Sequence, residues 1–222
     1  MPTLYLVRHG QASFGTEDYD RLSELGARQC RRLGEYWAAR GLRFQAVLRG
    51  SLRRHEQSLD ALRQGLPGLP EEQVFPGLNE YDSAAVVRAV HPEPLPVDRS
   101  PENYRRHFRV LREGLSAWMQ GRTAPEGMPS YAEFCAGITQ VLDRVRSDHE
   151  GDVLMLSSGG PISTAIGLVL DMAGPGTIEL NMRLRNSAVT EFVFNPKRHA
   201  LNTYNHLPHL DGAEHADWIT YT

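Results

Sequence analysis

The sequence predicts an α/β fold, a three-layer sandwich with a mostly parallel central sheet flanked by helices on both faces. Three observations carry this. Short apolar runs of strand length alternate with amphipathic stretches of helical length. Two of those runs break off abruptly into unusual loops, Arg8-His9-Gly10-Gln11 and Ser157-Ser158-Gly159-Gly160. The chain has 222 residues, 41% of them hydrophobic, enough for one substantial core. A single domain over residues 1–222 is expected, with a helical insertion over roughly residues 83–147.

The elements follow in order. Residues 4–7 are a short buried strand that delivers the polar loop at His9. A helix follows from an N-cap at Ser23, with Leu25, Leu33, Tyr36 and Trp37 roughly on one face and Gly41 where a C-terminal glycine belongs. Residues 44–48 read as a second strand, residues 52–64 as a second amphipathic helix closed by Gly65 and Pro67, and residues 73–75 as a further strand. From residue 83 the texture changes: prolines at 92, 94, 96 and 101 precede arginine-rich helical stretches over residues 104–120 and 131–145. The strand theme resumes at residues 153–156, and Pro161 sits near the start of a helix over residues 162–170. Residues 188–194 and 199–204, joined across Asn195-Pro196, read as a closing hairpin. In such sheets ligands bind beyond the carboxyl ends of the strands, where both unusual loops lie.

Composition narrows the function classes. A net charge of −3 lacks the basic excess of a dedicated nucleic-acid binder. Cys30 and Cys135 lack metal or redox spacing, which suits a reducing compartment. With no signal-like segment and no apolar run long enough to span a bilayer, a cytoplasmic protein without membrane association is expected. Nine histidines invite a metal reading, but no HExxH or paired CxxC organises them, so no metal is expected and most are read as surface or loop residues.

The segment Leu6-Val7-Arg8-His9-Gly10 resembles the signature of the histidine phosphatase superfamily, the phosphoglycerate-mutase-like family. Further matches stand in the right order: Leu22-Ser23-x-x-Gly26-x-x-Gln29, Ser51-Leu52-x-Arg54-x-x-Gln57-Ser58, Leu78-Asn79-Glu80 and Ser157-x-Gly159-Gly160 with Ile162. Together they run from residue 4 to about residue 165. The resemblance implies a phosphomonoesterase, needing no metal or organic cofactor, that acts on a small phosphorylated substrate. Residues 84–130 carry no match and are where specificity is expected to reside.

Each piece also makes chemical sense. A neutral imidazole is a competent nucleophile and forms a phosphoramidate that water can hydrolyse, which assigns His9 as nucleophile. Phosphoryl transfer is catalysed mainly by positioning and by fixed charge on the nonbridging oxygens, the role expected of Arg8 and Arg54. Arg54 rather than Arg53 stands in the register of the motif. Glu80 resembles the family's general acid, with Asp82 as the alternative. Gly10, Gln11, Ser13, Ser158 and Gly159 are candidate phosphate or substrate contacts.

The chain departs from the pattern at one position. The family's last strand normally ends Ser-His-Gly-Gly, the histidine contacting the phosphoryl group, whereas this chain has Ser157-Ser158-Gly159-Gly160. Ser158 offers one neutral donor, and His209 is considered as a substitute from the C-terminal segment. Slow turnover is therefore expected, and a catalytically weakened phosphate-binding or regulatory module is the alternative. A mutase is the less favoured third reading, because Gln11-Ala12-Ser13-Phe14-Gly15 departs from the mutase continuation. The sequence leaves the substrate and the oligomeric state open.

Overall fold

The computed structural model describes residues 1–13, 20–96 and 100–221. Six strands form one sheet: β1 (Thr3–Arg8), β2 (Ala46–Arg49), β3 (Glu72–Val74), β4 (Val153–Ser157), β5 (Val189–Asn195) and β6 (Arg198–His206). Their spatial order is β3-β2-β4-β1-β5-β6. The first four run parallel, with Leu4 opposite Val153 and Arg8 opposite Ser157, while β5 is antiparallel to β1 and β6 to β5. Parallel strands need crossovers, and the helices supply them.

Among the described residues seven α-helices surround the sheet: α1 (Glu24–Ala38), α2 (Arg53–Gly65), α3 (Ser83–Arg88), α4 (Pro101–Met119), α5 (Tyr131–Asp148), α6 (Gly159–Leu170) and α7 (Gly174–Arg183). The strand period of two explains the layers. Leu4 and Leu6 of β1, with Val153 and Met155 of β4, pack with Ile138, Val141, Leu142 and Val145 of α5 and Ile162 and Ile166 of α6. Val7, Leu154 and Leu156 point the other way and pack with Cys30, Leu33 and Trp37 of α1 and Leu59 and Leu62 of α2. Both faces of the central strands are thus covered, which is why they read as unbroken apolar runs.

The expected insertion over residues 83–147 is helical but divides in two. The α3 and α4 helices pack with α7 through Val86, Leu111, Leu115, Trp118 and Ile178 beside the carboxyl ends of the strands. In contrast, α5 is a layer of the core, its Ile138, Val141, Leu142 and Val145 spaced to face the sheet. The α7 helix, with Pro175 in its first turn, was not expected from the sequence. Among the described residues no helix is long and apolar enough to cross a membrane.

Candidate active site

The β1 strand delivers His9 to the carboxyl edge of the sheet and the ladder fixes it there. Its N–H donates to the carbonyl of Ser157 (2.9 Å), and its own carbonyl accepts from the N–H of Ser187 (3.2 Å). The buried ring is oriented by one hydrogen bond, Nδ1 to the carbonyl oxygen of Gly10 at 2.7 Å. A carbonyl only accepts, so Nδ1 carries the proton and Nε2 keeps its lone pair. Burial, followed by the positive charges of Arg8 and Arg54 and by His55, pushes the imidazole well below its ordinary range. The ring is therefore neutral at physiological pH, the form that can attack phosphorus.

The two arginines reach the site from different elements. One guanidinium nitrogen of Arg8 donates to the carbonyls of Leu184 and of Tyr221, the latter at 2.9 Å. These contacts tie the end of β1 to the C-terminal segment. Arg54 lies buried at the start of α2, whereas Arg53 is exposed. Asp20 sets that register: its carboxylate accepts from the Arg53 N–H at 2.9 Å and pairs with the Arg54 guanidinium at 2.8 Å. The cap residue Leu52 offers no side-chain acceptor, so Asp20 does the capping of α2 from a distance.

Glu80 is placed by β4 and α6. The Ser157 hydroxyl donates to the carbonyl of Leu78 at 2.7 Å, holding the Glu80 loop against the end of β4. The Glu80 carboxylate accepts from the Gly160 N–H at 3.0 and 3.2 Å and from the Tyr81 N–H at 3.3 Å. A Cβ on Gly160 would lie 2.2 Å from the same carboxylate, so this approach requires glycine there. Burial raises the pKa of Glu80 above the usual carboxylate range, against the opposing pull of Arg54, the Gly160 amide and Arg8. Asp82, the alternative acid, is the N-cap of α3 and accepts from the N–H groups of Ala84 and Ala85.

Arg8, Arg54 and Glu80 line a cleft of about 340 Å³. Its outer wall comes from Tyr81, His107, Phe108, Asn181, Met182 and Tyr221. Apart from Tyr81, which follows Glu80 in the same loop, these residues come from α4, α7 and the C-terminal segment and were missed by the sequence reading, since nothing in a local pattern shows that distant elements share a wall. Among the described residues no three His, Cys, Asp or Glu side chains group as a metal site would require.

Several expected phosphate contacts are otherwise engaged. The Gly10 N–H donates to the Ser58 hydroxyl (3.1 Å), and a Cβ at Gly10 would lie 2.3 Å from the Gly26 carbonyl. That glycine serves the packing of the loop on α1. Gln11 accepts from the Ser23 hydroxyl at 2.9 Å, and its N–H donates to Gln29 at the same distance, so it too ties the loop to α1. The Ser13 N–H bonds the Arg21 carbonyl at 2.7 Å, while Phe14 and Gly15 lie outside the described residues. Gly159 opens α6.

His209 is buried, meets the Ser187 hydroxyl at 2.9 Å and is not among the residues that line the cleft. Of the nine histidines, His9, His55 and His209 are buried and the other six are not, so the reading of most as surface or loop residues holds with His209 and His55 as exceptions. His55, which the sequence reading passed over, is the histidine beside His9: the ring centroids are 5.8 Å apart. Its Nε2 is 2.8 Å from the Ser158 hydroxyl.

A search of curated proteins returns no match. Solved structures give whole-chain likenesses. A phosphoserine phosphatase mutant from Entamoeba histolytica, in complex with phosphoserine, is 19% identical with a TM-score of 0.64, covering 95% of this chain and 100% of that one. An α-ribazole-5′-P phosphatase from Escherichia coli, so described only provisionally, is 18% identical with a TM-score of 0.63, covering 92% and 96%. A mycobacterial glucosyl-3-phosphoglycerate phosphatase is 18% identical with a TM-score of 0.60, covering 92% and 99%. At these identities the likeness shows the shared fold. The model of the histidine phosphatase superfamily (branch 1) matches residues 4–207, nearly the whole described sheet and its helices, and the chain belongs to that family.

Proposed function

We propose that the protein is a phosphomonoesterase that hydrolyses a small phosphorylated substrate through a phosphohistidine at His9. The observation that carries this reading is the tautomer of His9, whose Nδ1 is committed to Gly10 and whose Nε2 lone pair is left for attack. Arg8 and Arg54 offer forked donors to the phosphoryl oxygens. In the first step Nε2 attacks phosphorus, the ester P–O bond breaks, and the leaving oxygen takes the proton of Glu80. In the second, water attacks the phosphohistidine, its proton passes to the Glu80 carboxylate, and the P–N bond breaks to release inorganic phosphate. Neither step calls for a metal or an organic cofactor.

The mixed wall of Tyr81, His107, Phe108 and Asn181 suits a compact substrate with both polar and apolar parts. Two of the related structures hold phosphoserine and 3-phosphoglyceric acid, which supports a small phosphorylated metabolite here too. We place the enzyme in the cytoplasm as a single domain, in keeping with its free cysteines Cys30 and Cys135. The second reading, a phosphate-binding module with weakened turnover, rests on Ser158 alone. A screen of phosphorylated metabolites scored by phosphate release separates the two. Rapid quenching with labelled substrate should then trap an acid-labile, alkali-stable adduct that His9→Ala abolishes. Wild-type turnover in His9→Ala would refute the mechanism.

A further inference from the structure

We infer that His55 and Ser158 together form a two-part donor to the phosphoryl group, His55 positioning the Ser158 hydroxyl and Ser158 touching the phosphoryl oxygen. The inference rests on the phosphate-ester reading of the cleft, and it assigns a role to a histidine from α2 that no sequence motif marks.

Four observations support it. Ser158 is the N-cap of α6 but makes no side-chain capping bond, the usual employment of a serine there. Its hydroxyl is turned to His55 instead, 2.8 Å from Nε2, with both residues fully buried. Ser158 also follows Ser157, the residue that holds the His9 N–H, and so stands next to the nucleophile across the β1–β4 ladder. Lastly, the two imidazoles face each other with centroids 5.8 Å apart. A buried histidine beside a nucleophilic histidine is expensive to desolvate, and a packing role alone would be filled better by an apolar side chain.

The direction of the hydrogen bonds follows from the ring's partners. Nδ1 of His55 is buried beside Gly50, whose backbone pulls on the ring as a hydrogen-bond acceptor without reaching the geometry of a formed bond. A neutral imidazole has one N–H, and we place it on Nε2, where the Ser158 oxygen at 2.8 Å is a better acceptor than the misaligned Gly50 carbonyl. Nε2–H then donates to the Ser158 oxygen, and the Ser158 proton is free to point at a phosphoryl oxygen. The groups that face His55 are Arg54 on its own helix, Arg49 and Gly50 at the end of β2, and His9 on β1. Burial, followed by the two arginines, keeps the ring neutral while the site is empty, and a bound phosphate dianion opposes the arginines.

The pairing also implies that an imidazole cannot simply be added at position 158, because His55 already fills the space. Ser158→His alone should therefore lower turnover, and the double variant His55→Ala with Ser158→His should recover most of it. His55→Ala and Ser158→Ala should each lower kcat/KM by about 10²-fold, and the pair together should lose no more than the worse single change. His55→Gln, which keeps a donor of similar reach, should retain more activity than His55→Ala.

Nitrogen NMR of the ring in the wild-type protein provides a readout independent of turnover and of variant folding. The expected spectrum has the proton on Nε2, and added inorganic phosphate shifts that resonance. Multiplicative losses in the double variant, or a His55 spectrum unmoved by phosphate that binds with Arg54 intact, would overturn the inference. If phosphate moves the His55 resonance while no ester is hydrolysed, the two-part donor stands and the phosphatase reading falls.

Discussion

At the scale of single residues, Arg53 and Arg54 pose the sharpest contrast, since adjacent identical side chains have opposite fates. Arg54 is buried beside the cleft and Arg53 is exposed, because Asp20 grips the first turn of α2 in one register. Arg54→Ala should lower kcat/KM by about 10²–10³-fold, whereas Arg53→Ala should stay within about twofold. Steady-state kinetics on an aryl phosphate checks both. For Glu80, burial raises its pKa, so the proton it must donate is present at higher pH than for an ordinary carboxyl. Glu80→Gln should slow alkyl phosphates by about 10²–10⁴-fold and activated aryl phosphates far less. Equal losses on both would move the assignment to water. The kcat/KM profile should also lack an acid limb near pH 6.5, because His9 stays neutral well below its ordinary range. His9, Arg54 and Glu80 could be singled out in the sequence because each sits in a local pattern, and the fold brings Arg54 and Glu80 to one cleft. His55 could not, since its meaning depends on Ser158, 103 positions away.

At the scale of elements, strand and helix types were legible wherever a periodic run was bounded by a cap or a glycine. The Ser23 N-cap of α1 is an example: its hydroxyl accepts from the Gly26 N–H at 3.0 Å and donates to Gln11. Ser23→Ala should cost about 0.5–2 kcal/mol, read as a fall in Tm of roughly 2–4 °C per kcal/mol. The loop that follows His9 should loosen as well, since Gln11 loses its partner. An unchanged Tm would mean the cap is replaceable by water. Two elements were misjudged for identifiable reasons. The Gly174-Pro175-Gly176 start of α7 reads as a turn, although Pro belongs in a first helical turn. The α5 helix was grouped with the proline-rich stretch before it, although Ile138, Val141, Leu142 and Val145 carry the spacing of a buried face. Texture along the chain misled where periodicity would have served.

For the whole molecule, the buried histidines make stability a function of pH. His55 and His209 are both pushed down to about 3, in each case by burial first and then by neighbouring positive charge, Arg54 and Arg49 for the one and Arg32 for the other. His9 is also well below its ordinary range. In the unfolded chain each should titrate near 6.5. Below that pH the unfolded state binds protons that the native state refuses, so stability is full above about pH 6.5 and is lost as the pH falls toward the folded values. Each histidine steepens the loss by about 1.4 kcal/mol per pH unit. Three together give roughly 4 kcal/mol per unit, enough to exhaust the 5–15 kcal/mol of an ordinary domain within about one to four units. Glu80 works in the opposite sense, since its raised pKa favours the native state as pH falls, but it is one group against these three and against His199 and His107, which burial lowers as well. Urea melts at pH 7.5, 6.5 and 5.5 should therefore show little change across the first interval and a marked fall across the second. His209 separates this effect from catalysis, because it bonds Ser187 and lies outside the cleft lining. Relative to the wild type, His209→Gln should flatten the acid slope by about 1.4 kcal/mol per pH unit while leaving the kcat/KM profile in place. A melt series as steep as that of the wild type would show that His209 is already charged in the native state, and the burial argument for the group would fail with it.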